Sequence, residues 1–198
     1  DFIGTNKDDL FIADNSVTVK TSAADTLDGG KGVDTFKLYD NATTTIKTEL
    51  LPTLKNIENV VIYDSKAATV GGVDLKKWDS VETLFLVRDN STVAYILGEK
   101  VTTVNVVDTI ATSSPILNFD AALTAATLGV NNVIGTAGAA ITTAINGAAL
   151  KTLTVDASGK ASNVALVNAT IETLNITGKA NLTLGTGTII GAVKTVDG

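Results

Sequence analysis

The sequence contains no cysteine, no methionine and no histidine, and each absence removes a class of site. Without cysteine there is no disulfide framework, no thiol nucleophile and no zinc-finger site. Without histidine, the Ser-His-Asp triad and imidazole metal sites are excluded. Aromatic residues make up only 5% of the chain and there are two prolines, whereas threonine, valine, alanine, asparagine and glycine are abundant. This composition favours a core of stacked small aliphatic side chains over the aromatic-lined pocket of an enzyme.

Positive charge is also scarce, since the formal net charge is −6 and Arg88 is the only arginine. Nucleic-acid binding needs a footprint of lysine and arginine, so we expect no nucleic-acid partner. No apolar run approaches the roughly 18 residues of a membrane span, and no signal-peptide pattern is visible, so we expect no membrane insertion. The chain opens at Asp1 without an initiator methionine, which indicates a piece of a longer protein.

The most specific motif is a glycine-rich nonapeptide at residues 29–37. It fits the pattern Gly-Gly-x-Gly-x-Asp-x-apolar-x, which is typical of calcium-binding parallel β-helices. Glycine permits positive φ, so the backbone can turn its carbonyl oxygens toward a cation. Asp34 adds a carboxylate, the hard ligand type that Ca²⁺ prefers. Phe36 is then expected to point inward and anchor the strand that follows the turn.

Two degenerate copies of this nine-residue frame precede the motif. Asp9 and Phe11 hold the aspartate and apolar positions in one copy, and Asp25 and Leu27 hold them in the other. The N-terminal segment 1–40 carries eight of the 21 carboxylates, and it would repel itself unless it is solvated or neutralised. The glycine spacing favours a cation-binding edge in this segment, with metal-free hairpin turns as the alternative.

Short strands with a shared pattern recur in the remainder, residues 41–198. The steps between their central apolar residues are 24 from Phe36 to Val60, 24 from Val60 to Leu84, 20 from Leu84 to Val104, 21 from Leu153 to Leu174 and 22 from Leu174 to Val196. Weaker strands with period-two alternation are predicted at Thr92–Leu97, Asn163–Val167 and Asn181–Leu184. A repeat of this size cannot bury its own apolar face, whereas a stack of repeats can. We predict an all-β, elongated β-solenoid of the parallel β-helix or β-roll type in one continuous stack, with an antiparallel sandwich as the alternative.

Three features are expected to interrupt this repeat. A short helix is predicted over Asp120–Gly129, capped by its two terminal residues. A helical turn is predicted over Val73–Trp78, whose tryptophan is expected to be a buried core residue. The 49 residues from Val104 to Leu153 leave room for two coils, one of which carries an insertion.

The order of these elements resembles the RTX-type β-strand-repeat surface proteins of Gram-negative bacteria. The resemblance runs from a degenerate Gly-Thr-Asn-x-Asp-Asp-x-Phe start (Gly4–Phe11) through Asp-Thr-Leu-x-Gly-Gly-x-Gly-x-Asp-Thr-Phe (Asp25–Phe36) to a train of Thr-Leu-x-Ile/Val strands. This family includes surface-layer (S-layer) proteins and other type I secreted surface proteins. The resemblance implies type I secretion, folding outside the cell on meeting Ca²⁺, and self-assembly with neighbouring protomers into a surface coat. A polysaccharide of the outer membrane is a candidate anchor.

The resemblance also implies a set of calcium ligands. The residues it assigns to the metal are Asp9, Asp25, Asp28, Gly29, Gly30, Lys31, Gly32 and Asp34. Backbone carbonyls near Gly29, Lys31 and Gly32 would act together with the Asp34 carboxylate, and the other aspartates would supply extra carboxylates. Further candidates at the degenerate first turn are Asn6 and Asp8. In the family each ion usually lies between two turns, so the one intact turn needs a neighbouring turn to complete its site.

Two other functions are compatible with secretion. An adhesin segment would bind a glycan or a host surface, and an exposed aromatic row would indicate it. The aromatic residues that were considered are too scattered to suggest such a row: Tyr39, Tyr63, Trp78 and Tyr95. Ice binding is suggested only by the irregular threonine run Thr183–Thr188.

An enzyme is the remaining alternative, for example a polysaccharide lyase or hydrolase on a β-helix. The conceivable carboxylate pairs are Asp74 with Asp79 and Asp89 with Glu99. No spacing rule places either pair the roughly 5–10 Å apart that such chemistry needs. We therefore predict a calcium-stabilised structural component of a bacterial cell-surface layer that is not an enzyme, with the adhesin segment as the alternative.

Overall fold

The computed structural model describes residues 1–18, 21–40, 48–63, 72–90, 94–111, 115–186 and 188–198, and β-strands account for nearly all regular structure in them. The strands are β1 Phe2–Ile3, β2 Leu10–Asp14, β3 Thr26–Asp28, β4 Thr35–Tyr39, β5 Thr53–Lys55, β6 Asn59–Tyr63, β7 Val73–Asp74, β8 Thr83–Val87, β9 Ala94–Ile96, β10 Thr103–Val107, β11 Ile110–Ala111, β12 Ile116–Asn118, β13 Ala125–Asn131, β14 Ile134–Gly135, β15 Ile141–Asn146, β16 Thr152–Ala157, β17 Ser162–Asn168, β18 Thr173–Gly178, β19 Leu182–Leu184, β20 Ile189–Ile190 and β21 Thr195–Asp197. The helical elements of these ranges are two short 3₁₀ helices, Thr48–Leu50 and Thr136–Gly138.

The strands stack into parallel sheets that run along the molecule. The long sheet has nine strands in the order β2-β4-β6-β8-β10-β13-β16-β18-β21. A second sheet has seven strands, in the order β19-β17-β15-β12-β9-β7 with β20 also paired to β17, and two short sheets are β1-β3-β5 and β11-β14. Each strand of the long sheet pairs with the strand one coil further along the chain, so the predicted all-β solenoid is confirmed. The antiparallel sandwich is wrong, because every strand pair in the described ranges is parallel.

The spacing of apolar residues in the sequence reappears as the register of the long sheet. The paired residues are Phe36 with Val60, Val60 with Leu84, Leu84 with Val104, Leu153 with Leu174, and Leu174 with Val196. A slip of one residue would turn a strand's whole apolar set outward, so the buried face fixes this register. The long sheet also continues across the predicted segment boundary at residue 40, since β4 pairs with β6.

The core lies between the sheets and consists of inward-facing side chains, which occupy every second position along each strand. In β6, Val60 and Ile62 are fully buried, while their neighbours in the strand are only half-buried. Trp78 is buried as predicted, and its indole N–H donates to the Pro52 carbonyl at 2.8 Å. Its ring meets Phe36 edge to face, with the ring centroids 6.2 Å apart. The indole therefore fills the core while its one polar atom remains satisfied.

The helix predicted over Asp120–Gly129 is wrong. Asp120 instead closes a turn, in which its carboxylate accepts the Ala122 N–H at 2.9 Å, and β13 begins at residue 125. Strand β13 pairs with β10 on one side and with β16 on the other, and this pairing overrides the helix propensity of its alanine-rich sequence. Glycine is required at position 129 of the strand, because the Cβ of any other residue would lie 1.9 Å from the Asn105 side-chain oxygen. Strand β13 lies between β10 and β16, so the two coils predicted here are confirmed, although two steps from Val104 lead through Leu128 to Val155 and not to Leu153.

The remaining element predictions have mixed outcomes. The helical turn predicted over Val73–Trp78 is wrong, because its first two residues form β7 and pair with β9. The weaker strands are confirmed as β9, β17 and β19, although residues 92 and 93 of the first lie outside the described ranges. Residue 187 of the threonine run considered for ice binding also lies outside them.

Candidate metal centre

The candidate site surrounds Asp34, which lies between the glycine-rich turn at residues 29–32 (the glycine turn) and the start of β4. The Asp34 side chain is fully buried, with 0% of its surface exposed. Its Oδ1 accepts the backbone N–H of Asp9 at 2.7 Å. Its Oδ2 is buried and makes no hydrogen bond within the described residues. A buried carboxylate oxygen without a partner is costly, so it marks a place where a cation or a proton would stabilise the fold.

The electrostatics of the turn act against ionisation of Asp34. Burial raises the pKa of its carboxyl group, and the hydrogen bond from the Asp9 N–H only partly opposes that rise. The carboxylates of Glu58, Asp9 and Asp8 raise the Asp34 pKa further by charge repulsion. A divalent cation at this place would act in the opposite direction, because it favours the ionised form of the carboxyl group.

Glycine is required next to the unpartnered Asp34 oxygen. A Cβ at Gly29 would lie 2.3 Å from Asp34 Oδ2 and 2.0 Å from the Asn56 carbonyl oxygen. Gly30 and Gly32 have φ values of +91° and +124°, which side chains other than glycine rarely tolerate. The positive φ values expected of the glycine turn are therefore present at two of its three glycines.

The glycine turn stacks directly on the degenerate first turn. Lys31 N–H donates to the Thr5 carbonyl at 3.2 Å, and Val33 N–H donates to the Asp8 carboxylate at 2.9 Å. The Asp9 Oδ2 accepts both the backbone N–H and the hydroxyl of Thr5, at 2.6 and 2.9 Å. The first turn is thus the neighbour that a two-turn site requires, although Thr5 already occupies one oxygen of Asp9.

The other two predicted aspartates serve as turn caps. Asp28 Oδ1 accepts the Gly30 N–H at 3.1 Å and the Asn56 side-chain amide at 2.8 Å. Asp25 lies at the opposite end of β3, where its Oδ2 accepts the Ser22 N–H at 2.7 Å. The structure therefore brings Asp9, Asp34 and the glycine turn together, places Asp28 at the entrance to that turn, and leaves Asp25 apart from it.

One important residue of this region was missed in the sequence. Glu58 Oε2 accepts the Asp34 backbone N–H at 2.8 Å. Each acid of this set precedes a strand of the long sheet in a successive coil, and we call the set the acidic column: Asp9, Asp34, Glu58 and Glu82. The spacing of 25, 24 and 24 residues would have revealed the column, since it matches the strand repeat.

A calcium site at Asp34 stays a prediction. Among the described residues there is no group of three or more His, Cys, Asp or Glu side chains arranged to hold a metal ion. A ligand set made mainly of backbone carbonyls does not need such a group. One feature fits a hard cation: the Asp34 oxygen that is buried without a hydrogen-bond partner among the described residues.

The scattered aromatic residues divide between the surface and the core. Tyr39 and Tyr63 stack in adjacent coils of the long sheet, with ring centroids 4.8 Å apart and ring planes at 20°. Lys37 Nζ lies 5.5 Å from the Tyr63 ring centroid. Trp78 and Tyr95 are buried. The structure therefore brings Tyr39 and Tyr63 together in one stack, although they are 24 residues apart in the sequence.

One member of each carboxylate pair considered for an enzyme accepts a hydrogen bond from a nearby residue. Asp89 is buried and accepts the Tyr95 hydroxyl at 2.8 Å, and Asp74 accepts the Lys76 N–H at 2.9 Å. In the described ranges, no helix is both long and apolar enough to cross a membrane.

Neither a protein-family model, nor a curated protein, nor a solved structure matches this chain.

Proposed function

We propose that this chain is a structural β-solenoid of a bacterial cell-surface layer, stabilised outside the cell by calcium at the glycine turn. The observation that carries the proposal is the buried Asp34 carboxylate, whose unpartnered Oδ2 lies against Gly29. The proposed calcium ligands are the Asp34 carboxylate and carbonyl groups of residues 29–32, completed by the first turn. The proposed partners are Ca²⁺, neighbouring protomers and a polysaccharide anchor.

The charges around Asp34 favour a calcium ion at this place. Asp34 is buried, and the carboxylates of Glu58, Asp9 and Asp8 repel its negative charge. Extracellular calcium modules bind with dissociation constants of about 10⁻⁴–10⁻³ M. At 100 times the dissociation constant, binding would add roughly 2.7 kcal/mol to the stability of the fold. Scarce calcium inside the cell would leave the segment loose for export, and abundant calcium outside would order it.

The test is the thermal unfolding of the chain in millimolar Ca²⁺ and in EGTA, compared with the variant Asp34→Asn. Asparagine keeps an oxygen that can accept the Asp9 N–H and removes the charge. We expect calcium to raise the melting temperature of the wild type and to leave that of Asp34→Asn unchanged. Asp120→Asn is the matched control, because Asp120 also accepts one backbone N–H and lies in a turn far along the chain. Equal calcium responses in the wild type and Asp34→Asn would refute the proposed site.

Assembly is tested separately by electron microscopy of the purified chain. The proposal predicts ordered sheets in millimolar calcium and their loss in EGTA. The adhesin segment remains the competing proposal. Glycan-array binding by the folded chain that is lost in Tyr63→Ala would favour the adhesin over the structural role.

A further inference from the structure

Side chains that oxidants modify are scarce in this protein. The sequence has neither cysteine nor methionine, the two residues that oxidation most often affects. One tryptophan and three tyrosines remain as residues that readily lose a single electron. Trp78 and Tyr95 are 1% and 0% exposed, and Tyr95 donates its hydroxyl hydrogen to the Asp89 carboxylate at 2.8 Å. Tyr39 and Tyr63 are only half-buried, so a one-electron oxidant in solution reaches this pair first.

The two half-buried tyrosines are paired directly in the long sheet. Tyr39 ends β4, Tyr63 ends β6, and the register sets them opposite each other. Both side chains point away from the core, since the residues before them, Leu38 and Ile62, are buried. Their ring centroids are 4.8 Å apart and their ring planes lie at 20°, and this separation equals the usual spacing of neighbouring strands. The two rings therefore face each other across a single strand spacing.

The fold holds this pair in place from several sides. Lys37, two residues before Tyr39 on the same face of β4, has its Nζ 5.5 Å from the Tyr63 ring centroid, a distance at which a cation attracts the face of a ring. Asn15 N–H donates to the Tyr39 carbonyl at 2.8 Å, and Asp40 N–H donates to the Tyr63 carbonyl at 3.0 Å. The pairing is therefore a property of the folded chain, and unfolding would separate the two tyrosines by 24 residues of flexible chain.

We infer that Tyr39 and Tyr63 form a site of oxidative cross-linking, at which a one-electron oxidant joins the two rings as dityrosine. Each phenol loses one electron and one proton and becomes a phenoxyl radical. The two radicals then form a carbon–carbon bond between ring carbons adjacent to the phenolic carbons. The hydrogen on each bonded carbon moves to the phenolic oxygen of its own ring, which restores both phenols. In total, two equivalents of the oxidant are reduced, two protons are released, and no atom is added to the chain.

The bond would join two successive coils of a chain that has no cysteine and therefore no disulfide. A covalent cross-link stabilises a fold mainly by restricting the unfolded chain. The coil that contains Asp34 would be tied to the next coil through Tyr39, at the far end of β4. The inference goes beyond the proposed function and needs no calcium, so the cross-link can fail while the calcium site holds, and the reverse is also true.

The test uses the tris-bipyridyl ruthenium(III) ion, a diffusible one-electron oxidant that light and persulfate generate from the ruthenium(II) ion. Trypsin cleaves after lysine and arginine, and it places the three tyrosines in separate peptides, 38–47, 56–66 and 89–100. After oxidation of the folded chain, mass spectrometry should find peptides 38–47 and 56–66 joined with the loss of two hydrogen atoms. Denaturing electrophoresis should show that the cross-linked product has the size of a monomer, with a yield that does not depend on protein concentration.

Two variants and a matched control locate the bond. Tyr39→Phe and Tyr63→Phe each keep the ring and remove the phenol, so each should abolish the joined peptide. The control Tyr39→Phe/Thr154→Tyr restores the number of tyrosines on the outward face of the same sheet. Residue 154 lies in β16, four strands from β6, which is about 19 Å at the usual strand spacing, so it should not couple to Tyr63. Circular dichroism verifies the fold of every variant.

The wild type should give the joined peptide in several-fold higher yield when folded than in urea, because the pairing is lost on unfolding. The cross-linked chain should melt several degrees above the untreated chain. No joined peptide in the wild type, an equal yield in urea, or coupling of Tyr63 to residue 154 at the wild-type yield would each overturn the inference. A cross-linked chain that melts no higher than the untreated chain would show that the bond does not stabilise the fold, against the inference.

Discussion

At the scale of single residues, Asp34 brings burial and charge into conflict. Its carboxyl group is enclosed between the glycine turn and the first turn, and one oxygen makes a hydrogen bond while the other makes none within the described residues. Glu58 and Asp9 add negative charge on either side of it along the acidic column. Burial and these neighbouring charges therefore hold the pKa of the Asp34 carboxyl group above its ordinary value.

This conflict predicts how stability varies with pH. Because the Asp34 pKa in the folded state is raised above its ordinary value of 3.8, the folded chain holds this proton at pH values where the unfolded chain has lost it. In EGTA, Asp34 should therefore lower the free energy of unfolding as the pH rises from about 3.8 through the raised pKa. Saturating calcium should reverse the trend, since the metal binds the ionised form.

The measurement is urea-induced unfolding across this pH range, for the wild type and Asp34→Asn in EGTA and in calcium. The difference between the two proteins isolates Asp34 from the other carboxylates. Parallel pH profiles for the two proteins in EGTA would show that Asp34 ionises without cost to the fold.

At the scale of the strand, each rung contributes one or two inward-facing side chains to a continuous apolar column. Leu84 of β8 is 1% exposed and lies between Val60 and Val104 in the register. Its neighbour Thr83 is only half-buried. The two positions therefore separate core packing from intrinsic strand preference within one strand.

Truncation within this column should be costly. Leu84→Ala removes buried methyl groups between two tightly stacked coils, and we expect it to lower the free energy of unfolding by about 2–5 kcal/mol. Thr83→Ala in the same strand should cost no more than about 1 kcal/mol, which is the range of strand preference. Denaturant unfolding of the two variants checks the difference. Equal losses would mean that the strand does not present its alternate residues to the core.

Some of these strand positions and contacts could be predicted from the sequence, and others could not. The apolar spacing predicted five register pairs, because identical coil geometry forces successive inward residues to lie above one another. The helix predicted near Asp120 was wrong because local propensity cannot register two flanking strands. Glu58 was missed because it belongs to no glycine motif. Asp25 was grouped with Asp34 from its frame position, whereas β3 carries it to the opposite end of a strand.

At the scale of the whole molecule, acidic residues are concentrated in the first coils and an alternating lysine–glutamate ladder lies in the last, where Lys151 and Lys194 both bind Glu172. The fold itself follows from composition and period, since small β-branched and aliphatic side chains pack well in thin parallel rungs. The proposed calcium site, in contrast to the fold, does not follow from composition and period. Its proposed ligands are largely backbone carbonyls, whose directions depend on the turn geometry and cannot be read from residue types.

The most direct test of the calcium account is a crystal structure of the chain grown in calcium, with anomalous scattering used to locate the metal. We expect a peak within about 2.3–2.6 Å of Asp34 Oδ2, with oxygen atoms of the glycine turn completing the coordination. A well-ordered Asp34 with no metal beside it in excess calcium would refute the calcium site.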